Sequence, residues 1–172
     1  MSQILEVPAV SIKPPHGLNE ILATFGDIFS YFRSDHTLDP RWQVEQLIAM
    51  ALPFPLALSW DPLREVRRMT CHKLLQPVFE DVFQTIHRKG LAPALTSFGG
   101  CFAFRSQRRG TKLSAHCWGI ALDLNPACNA QGTGGNMDAA IISIFREAGF
   151  TWGGDWPGAV CDPMHFQFCT GY

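Results

Sequence analysis

The chain has 172 residues, enough for one domain with a substantial core and too few for two independent ones. Its 47% hydrophobic and 17% charged content is that of an ordered globular protein rather than a disordered one. A net charge of −1 supplies no overall basic field to hold nucleic acid or an anionic lipid surface, so no polyanionic partner bound by charge alone is expected.

Residues 1–16 are expected to be an extended lead-in ending in Pro14-Pro15-His16. Residues 1–10 carry no basic residue and no apolar run long enough for the core of a secretory signal, so the chain is expected to be cytoplasmic on synthesis. A short helix is predicted from Leu18 to about Phe25. Asp39-Pro40 is a capping residue followed by a first-turn proline, which predicts a helix running to about Leu52 and stopped by Pro53. The most apolar stretch, Leu47 to Trp60, is too short to span a bilayer and is broken by Pro53 and Pro55, so no membrane anchor is expected.

Asp61-Pro62 repeats the helix-start signal. Leu63, Val66, Met69, Leu74, Leu75, Val78, Phe79, Val82, Phe83 and Ile86 then follow three-and-four spacing, which predicts a long helix closed by Lys89-Gly90. Pro77 inside it predicts a kink or two abutting helices. Beyond Gly90, short apolar segments at 94–98, 101–104, 119–124 and 164–168 alternate with Gly, Asn and Pro clusters, as in a small antiparallel sheet. One helix interrupts them, from about Met137 to Ala148, with Asn136 as cap and Gly149 as stop. The pattern is α+β: one domain over 1–172, with 1–90 a mainly helical support and 91–172 a sheet that carries the chemistry.

Six cysteines, Cys71, Cys101, Cys117, Cys128, Cys161 and Cys169, include no C-x-x-C pair, which rules out a zinc ribbon. Buried free thiols are the expectation. His16, His36, His72 and His87 have no metal-site context and are read as structural or solvent-facing.

The chemistry concentrates in two stretches. Ser114-Ala115-His116-Cys117-Trp118-Gly119-Ile120-Ala121-Leu122-Asp123 offers an imidazole and a carboxylate seven residues apart, and Asp162-Pro163-Met164-His165 offers a carboxylate three residues before a second imidazole. Two His and one Asp suit a catalytic zinc with an open fourth position, and a further carboxylate suits proton transfer. Each residue also has a plainer reading: a surface histidine, or an aspartate that starts a turn at Asp123 or at Asp162-Pro163. The three-residue spacing would put Asp162 and His165 on opposite faces of a straight strand, so a bend is required there.

The two stretches resemble the zinc peptidases of the D-alanyl-D-alanine carboxypeptidase and L-alanyl-D-glutamate endopeptidase family, which includes phage endolysins. The pattern S-x-H-x-x-G-x-A-x-D is met by Ser114, His116, Gly119, Ala121 and Asp123, and [D/E]-x-x-H by Asp162 and His165. Gly100-Cys101-Phe102, Arg105, Arg109-Gly110, Trp118, Trp152-Gly153-Gly154 and Met164-His165-Phe166-Gln167 resemble the phage-associated branch. The likeness covers about residues 95–168.

The resemblance implies a hedgehog/DD-peptidase-like fold and a Zn2+ held by His116, Asp123 and His165. It makes Asp162 the general base and places Arg105 on a substrate carboxylate or a developing oxyanion, ahead of Arg108 and Arg109. Ser114 is implied to sit beside the substrate or a ligand. Trp118, Trp152 and Trp156 are expected in the core, with one or two of them available as substrate walls. The implied activity is hydrolysis of peptidoglycan stem peptides by a monomer, foremost as an endolysin-type L-alanyl-D-glutamate endopeptidase that reaches the cell wall after release. The alternatives are a D-alanyl-D-alanine carboxypeptidase and a noncatalytic zinc-containing binding module.

Overall fold

A computed structural model describes residues 12–108 and 110–172; the lead-in expected over 1–11 and the residue Arg109 lie outside them. The architecture is α+β, built on a six-stranded mixed sheet. Helix α1 (Gly17–Phe25) and the short α2 (Arg41–Gln46) precede two long strands, β1 (Leu47–Leu58) and β2 (Asp61–His72). Helix α3 (Gln76–Arg88), β3 (Phe98–Gly100), β4 (Ala121–Leu124), α4 (Ala139–Glu147), β5 (Thr151–Trp152) and β6 (His165–Gln167) complete the chain. The strand order is β2-β1-β3-β4-β6-β5. Every neighbouring pair is antiparallel except β1 and β3, which meet in parallel at Leu58 and Phe98.

The described part of the first half, residues 12–90, is therefore not mainly helical. The helix expected to run from Asp39-Pro40 to Leu52 ends at Gln46, and the one expected after Asp61-Pro62 is a strand up to His72. Period-two burial decides the matter: Met50, Leu52, Phe54, Leu56 and Leu58 are buried in alternation along β1. Pro53 and Pro55 do not break β1, because its register with β2 skips from Ala51–Arg68 to Leu56–Val66 and no ladder hydrogen bond is asked of them. Leu63 fits the helical stripe by spacing yet is almost fully exposed near the tip of the hairpin. Pro77 causes no kink; it sits in the first turn of α3, where its missing N–H costs nothing.

The second half follows the expected pattern more closely, with three differences. Residues 101–104 form no strand, and the cap of α4 is Asp138, whose carboxylate accepts from Ala140 N, rather than Asn136. Gly119 and Ile120 precede the strand, which begins at Ala121.

Phenylalanines tie the helices to the strands that carry the site. Phe83 of α3 touches Phe54 of β1 and Phe145 of α4, and Phe145 stacks on Phe166 of β6 at 4.2 Å between ring centroids. Since neighbours on a strand face opposite ways, a buried Phe166 turns His165 and Gln167 to the other face of the sheet. The same alternation on β4 sets Leu122 and Leu124 against Ala121 and Asp123. Among the described residues, no helix is long and apolar enough to cross a membrane.

Candidate metal centre

Asp123 and His165 are direct partners across the antiparallel pair β4 and β6, so their side chains rise from one face of the sheet. His116 arrives from a 3₁₀ turn at Ala115–Trp118, just before β4. Ser114 caps that turn, its hydroxyl accepting from His116 N, and Gly119 closes it in the left-handed region at φ 67°. A Cβ at Gly119 would stand 2.8 Å from His72 N, so the turn lies against β2 with no room for a side chain. Trp42 of α2 braces the turn by donating its indole N–H to Cys117 O at 3.2 Å.

One ligand atom each from His116, Asp123 and His165 lies within 4.8 Å of the others, and the group could hold a metal ion. All three residues are buried. Nε2 of His116 is 3.2 Å from Asp123 Oδ1, and Nδ1 of His165 is 2.9 Å from the same oxygen.

The far side of each ring fixes its tautomer. His116 Nδ1 faces the Cys101 carbonyl at 2.6 Å, an atom that only accepts, so Nδ1 carries the proton. His165 Nε2 faces Gln167 Oε1 at 3.0 Å, while the Gln167 amide nitrogen points to the carbonyls of Cys169 and Tyr172. Nε2 therefore donates there. Both rings, when neutral, aim a lone pair at an ionised carboxylate. That is unfavourable unless a cation sits among the three, either protons or a metal. Burial pushes the Asp123 carboxyl up, yet the charges and hydrogen bonds of His116 and His165 outweigh burial and hold it well below the carboxylate range. Burial lowers His165, but its hydrogen bond to Asp123 prevails and the net shift is upward. The donor set of two imidazole nitrogens and one carboxylate oxygen matches a catalytic zinc.

Asp162 meets His165 through a tight turn. His165 N donates to Asp162 O at 3.0 Å, and this is the bend that the three-residue spacing requires. Trp152 fastens the turn with an indole N–H to Pro163 O at 2.8 Å. Gly153 lets the chain pass: a Cβ there would lie 2.5 Å from Asp162 O. Asp162 is buried, and its Oδ1 has no hydrogen-bond partner among the described residues. Burial raises its pKa, and the Asp123 charge adds to this against the opposing charges of His165 and Arg108. A buried carboxylate oxygen that has no partner among the described residues, beside a group that could hold a metal ion, can accept a proton from water.

Asp162 and His165 line a cleft of about 360 Å³ whose walls also include Arg105, Arg108, Ser114 and Trp156. Arg105 Nη2 stands 4.0 Å from Asp123 Oδ2 with its side chain about a third exposed. Arg108, ranked behind Arg105 on the sequence, lines the same cleft. Trp156 is the tryptophan at the wall, 5.4 Å from the His165 ring; Trp118 is wholly buried and Trp152 half-buried. The roles of Cys101 O, Gln167 and Tyr172 were not evident in the sequence. Only Gln167 left a signal there, two residues after a ligand candidate on the same strand face.

His72 is structural, donating from Nε2 to Phe25 O at 2.9 Å; His16, His36 and His87 are exposed. All six cysteines are free. Four are buried as expected, while Cys161 is half-buried and Cys128 is exposed.

Residues 107–168 match the family model described as D-alanyl-D-alanine carboxypeptidase. The matched segment contains Ser114, His116, Asp123, Asp162 and His165, and the match supports a peptidase. Arg105 and the Cys101 carbonyl lie just before it. No curated protein matches the chain.

Proposed function

We propose that the protein is a zinc-dependent peptidase that cleaves peptidoglycan stem peptides as an endolysin-type L-alanyl-D-glutamate endopeptidase. The observation that carries this reading is the convergence of two imidazole nitrogens on one carboxylate oxygen, with His165 and an Asp162 oxygen that has no partner among the described residues lining one cleft. The family match over 107–168 supports the peptidase chemistry and the class of substrate.

His116, Asp123 and His165 would hold the zinc, which supplies Lewis acidity to acidify a water and polarise the scissile carbonyl. Asp162 accepts the water's proton and returns it to the departing amine; its raised pKa suits both directions of transfer. Arg105 offers a permanently charged, planar fork for a substrate carboxylate or the tetrahedral oxyanion. Ser114 holds the His116 turn and presents its other side to the cleft. Trp156 gives the substrate an apolar wall.

An endopeptidase must accommodate chain on both sides of the bond it cuts. A second groove borders the cleft at Arg105 and Tyr172, which suits that demand. The second reading, a D-alanyl-D-alanine carboxypeptidase, draws on the description of the matching family. A noncatalytic zinc module would have no use for a buried carboxylate oxygen that has no partner among the described residues.

The test is digestion of purified peptidoglycan by the zinc-loaded protein, with mass spectrometry of the fragments. New N-terminal D-Glu supports the endopeptidase; release of free D-Ala alone assigns the carboxypeptidase; an undigested wall contradicts both.

A further inference from the structure

Beside the catalytic cleft lies a groove of about 540 Å³ that none of the proposed catalytic steps uses. Arg105 and Tyr172 belong to both cavities and form the wall between them. The floor is aromatic. Phe29 and Phe32 are each 42% exposed with ring centroids 5.3 Å apart, and Phe32 meets Phe104 edge-on at 5.4 Å. Most of the chain's other phenylalanines are in the core, so two neighbouring exposed rings in a concave surface are an exception that calls for an occupant. The rim is polar: His36, Ser106, Thr111 and Lys112. Lys112 lies over the Tyr172 ring, 5.5 Å from its centre, and so stands at the passage between the two cavities.

We infer that this groove binds the glycan to which the stem peptide is attached, a pyranose ring lying on Phe29 and Phe32 with its hydroxyls and acetamido group at the polar rim. A pyranose has an apolar C–H face and a hydroxyl edge, which complement an aromatic floor with a hydrogen-bonding rim. The inference rests on the peptidase reading above and narrows its substrate to glycan-linked peptide. Chain reach gives a reason for this occupant. The L-Ala–D-Glu bond is one residue from the sugar, about 3.5 Å of extended chain, whereas the D-Ala–D-Ala bond is four residues away, about 14 Å. A sugar site that shares its wall with the catalytic cleft fits the shorter tether.

The experiment is an NMR titration of the full chain with the peptide-free N-acetylglucosaminyl-N-acetylmuramic acid disaccharide. It is paired with kcat/KM of the zinc-loaded protein on glycan-linked and glycan-free stem peptide. Saturable shifts at Phe29, Phe32, Phe104 and Lys112 are expected, weakened about tenfold in Phe32→Ala and retained in Phe32→Trp. Phe32→Ala should also lower kcat/KM about tenfold more on the glycan-linked peptide than on the glycan-free one. Lys112→Gln, at an exposed position, gives the same comparison should Phe32→Ala misfold.

Absence of saturable shifts, equal losses on both peptides, or groove shifts that follow protein concentration without sugar (a second copy of the chain) would each overturn the inference. A protein that binds the disaccharide in this groove but cleaves neither peptide would contradict the peptidase reading and leave the sugar site standing.

Discussion

Gln167 Oε1 lies 3.0 Å from His165 Nε2, two residues along the same strand, and the rest of its amide is tied to the carbonyls of Cys169 and Tyr172. This side chain turns the His165 ring so that Nδ1, not Nε2, meets Asp123. A partner of this kind usually contributes 10–100-fold to metal affinity. Gln167→Leu is therefore expected to weaken zinc binding by about that factor in a chelator competition, and Gln167→Glu, which still accepts, to restore most of it. Equal affinity in all three proteins would mean that Gln167 does not orient the ligand.

Separating metal binding from proton transfer distinguishes the roles of the two buried acids. Asp162→Ala should keep one zinc per chain and lose on the order of 100–10,000-fold in turnover. His116→Ala should lose the metal itself. The acid limb of the activity profile should lie above the ordinary carboxylate value of 3.8, because burial raises Asp162 and the base works only when ionised. Metal content by elemental analysis and a pH–rate series check both statements, and wild-type turnover in Asp162→Ala would remove it from the chemistry.

The four residues at the centre of the site were legible because each sits in a short motif whose spacing the fold preserves. Asp123 and His165 become register partners, and Asp162 is folded back by the Pro163-Met164 turn. Other features were not legible for physical reasons. The Cys101 carbonyl that fixes His116 is a backbone atom, so no residue type advertises it. Pro53 and Pro55 read as helix stops, whereas the structure places them in a register skip of a strand. Asp61-Pro62 imitates a helix cap, while the pairing that makes 61–72 a strand comes from residues up to 25 positions earlier, as between Leu47 and His72. Non-local pairing overrides a local signal in each case.

Gly153 admits the turn that carries Asp162. A methyl group there would lie 2.5 Å from Asp162 O and 3.2 Å from His165 Cβ. Gly153→Ala is expected to displace both residues, with turnover falling more than tenfold and zinc affinity falling with it while circular dichroism stays native. Unchanged activity in a folded Gly153→Ala protein would show that the turn has slack that the geometry denies.

His72 gives the fold a dependence on pH. Burial lowers its pKa from 6.5 to about 4, against its hydrogen bond to Phe25 O. The native state thus resists a proton that the unfolded chain accepts, so this contribution is complete above pH 6.5 and lost as pH falls toward 4. The difference corresponds to on the order of 3 kcal/mol. Urea titrations between pH 7 and pH 4 should show this decline in the wild type and a flatter one in His72→Gln, whose lower starting stability reflects a poorer fit between Phe25 and Leu74. Parallel profiles would place the acid sensitivity elsewhere.

The account stands on His116, Asp123 and His165 sharing one zinc ion. Zinc-edge X-ray absorption of the reconstituted protein, with metal stoichiometry for wild type and His116→Ala, tests this directly. One zinc per chain is predicted, bound by two imidazole nitrogens and oxygen donors at about 2.0–2.2 Å, with that occupancy lost in His116→Ala. Sulfur in the coordination sphere, or full occupancy after His116→Ala, would contradict it.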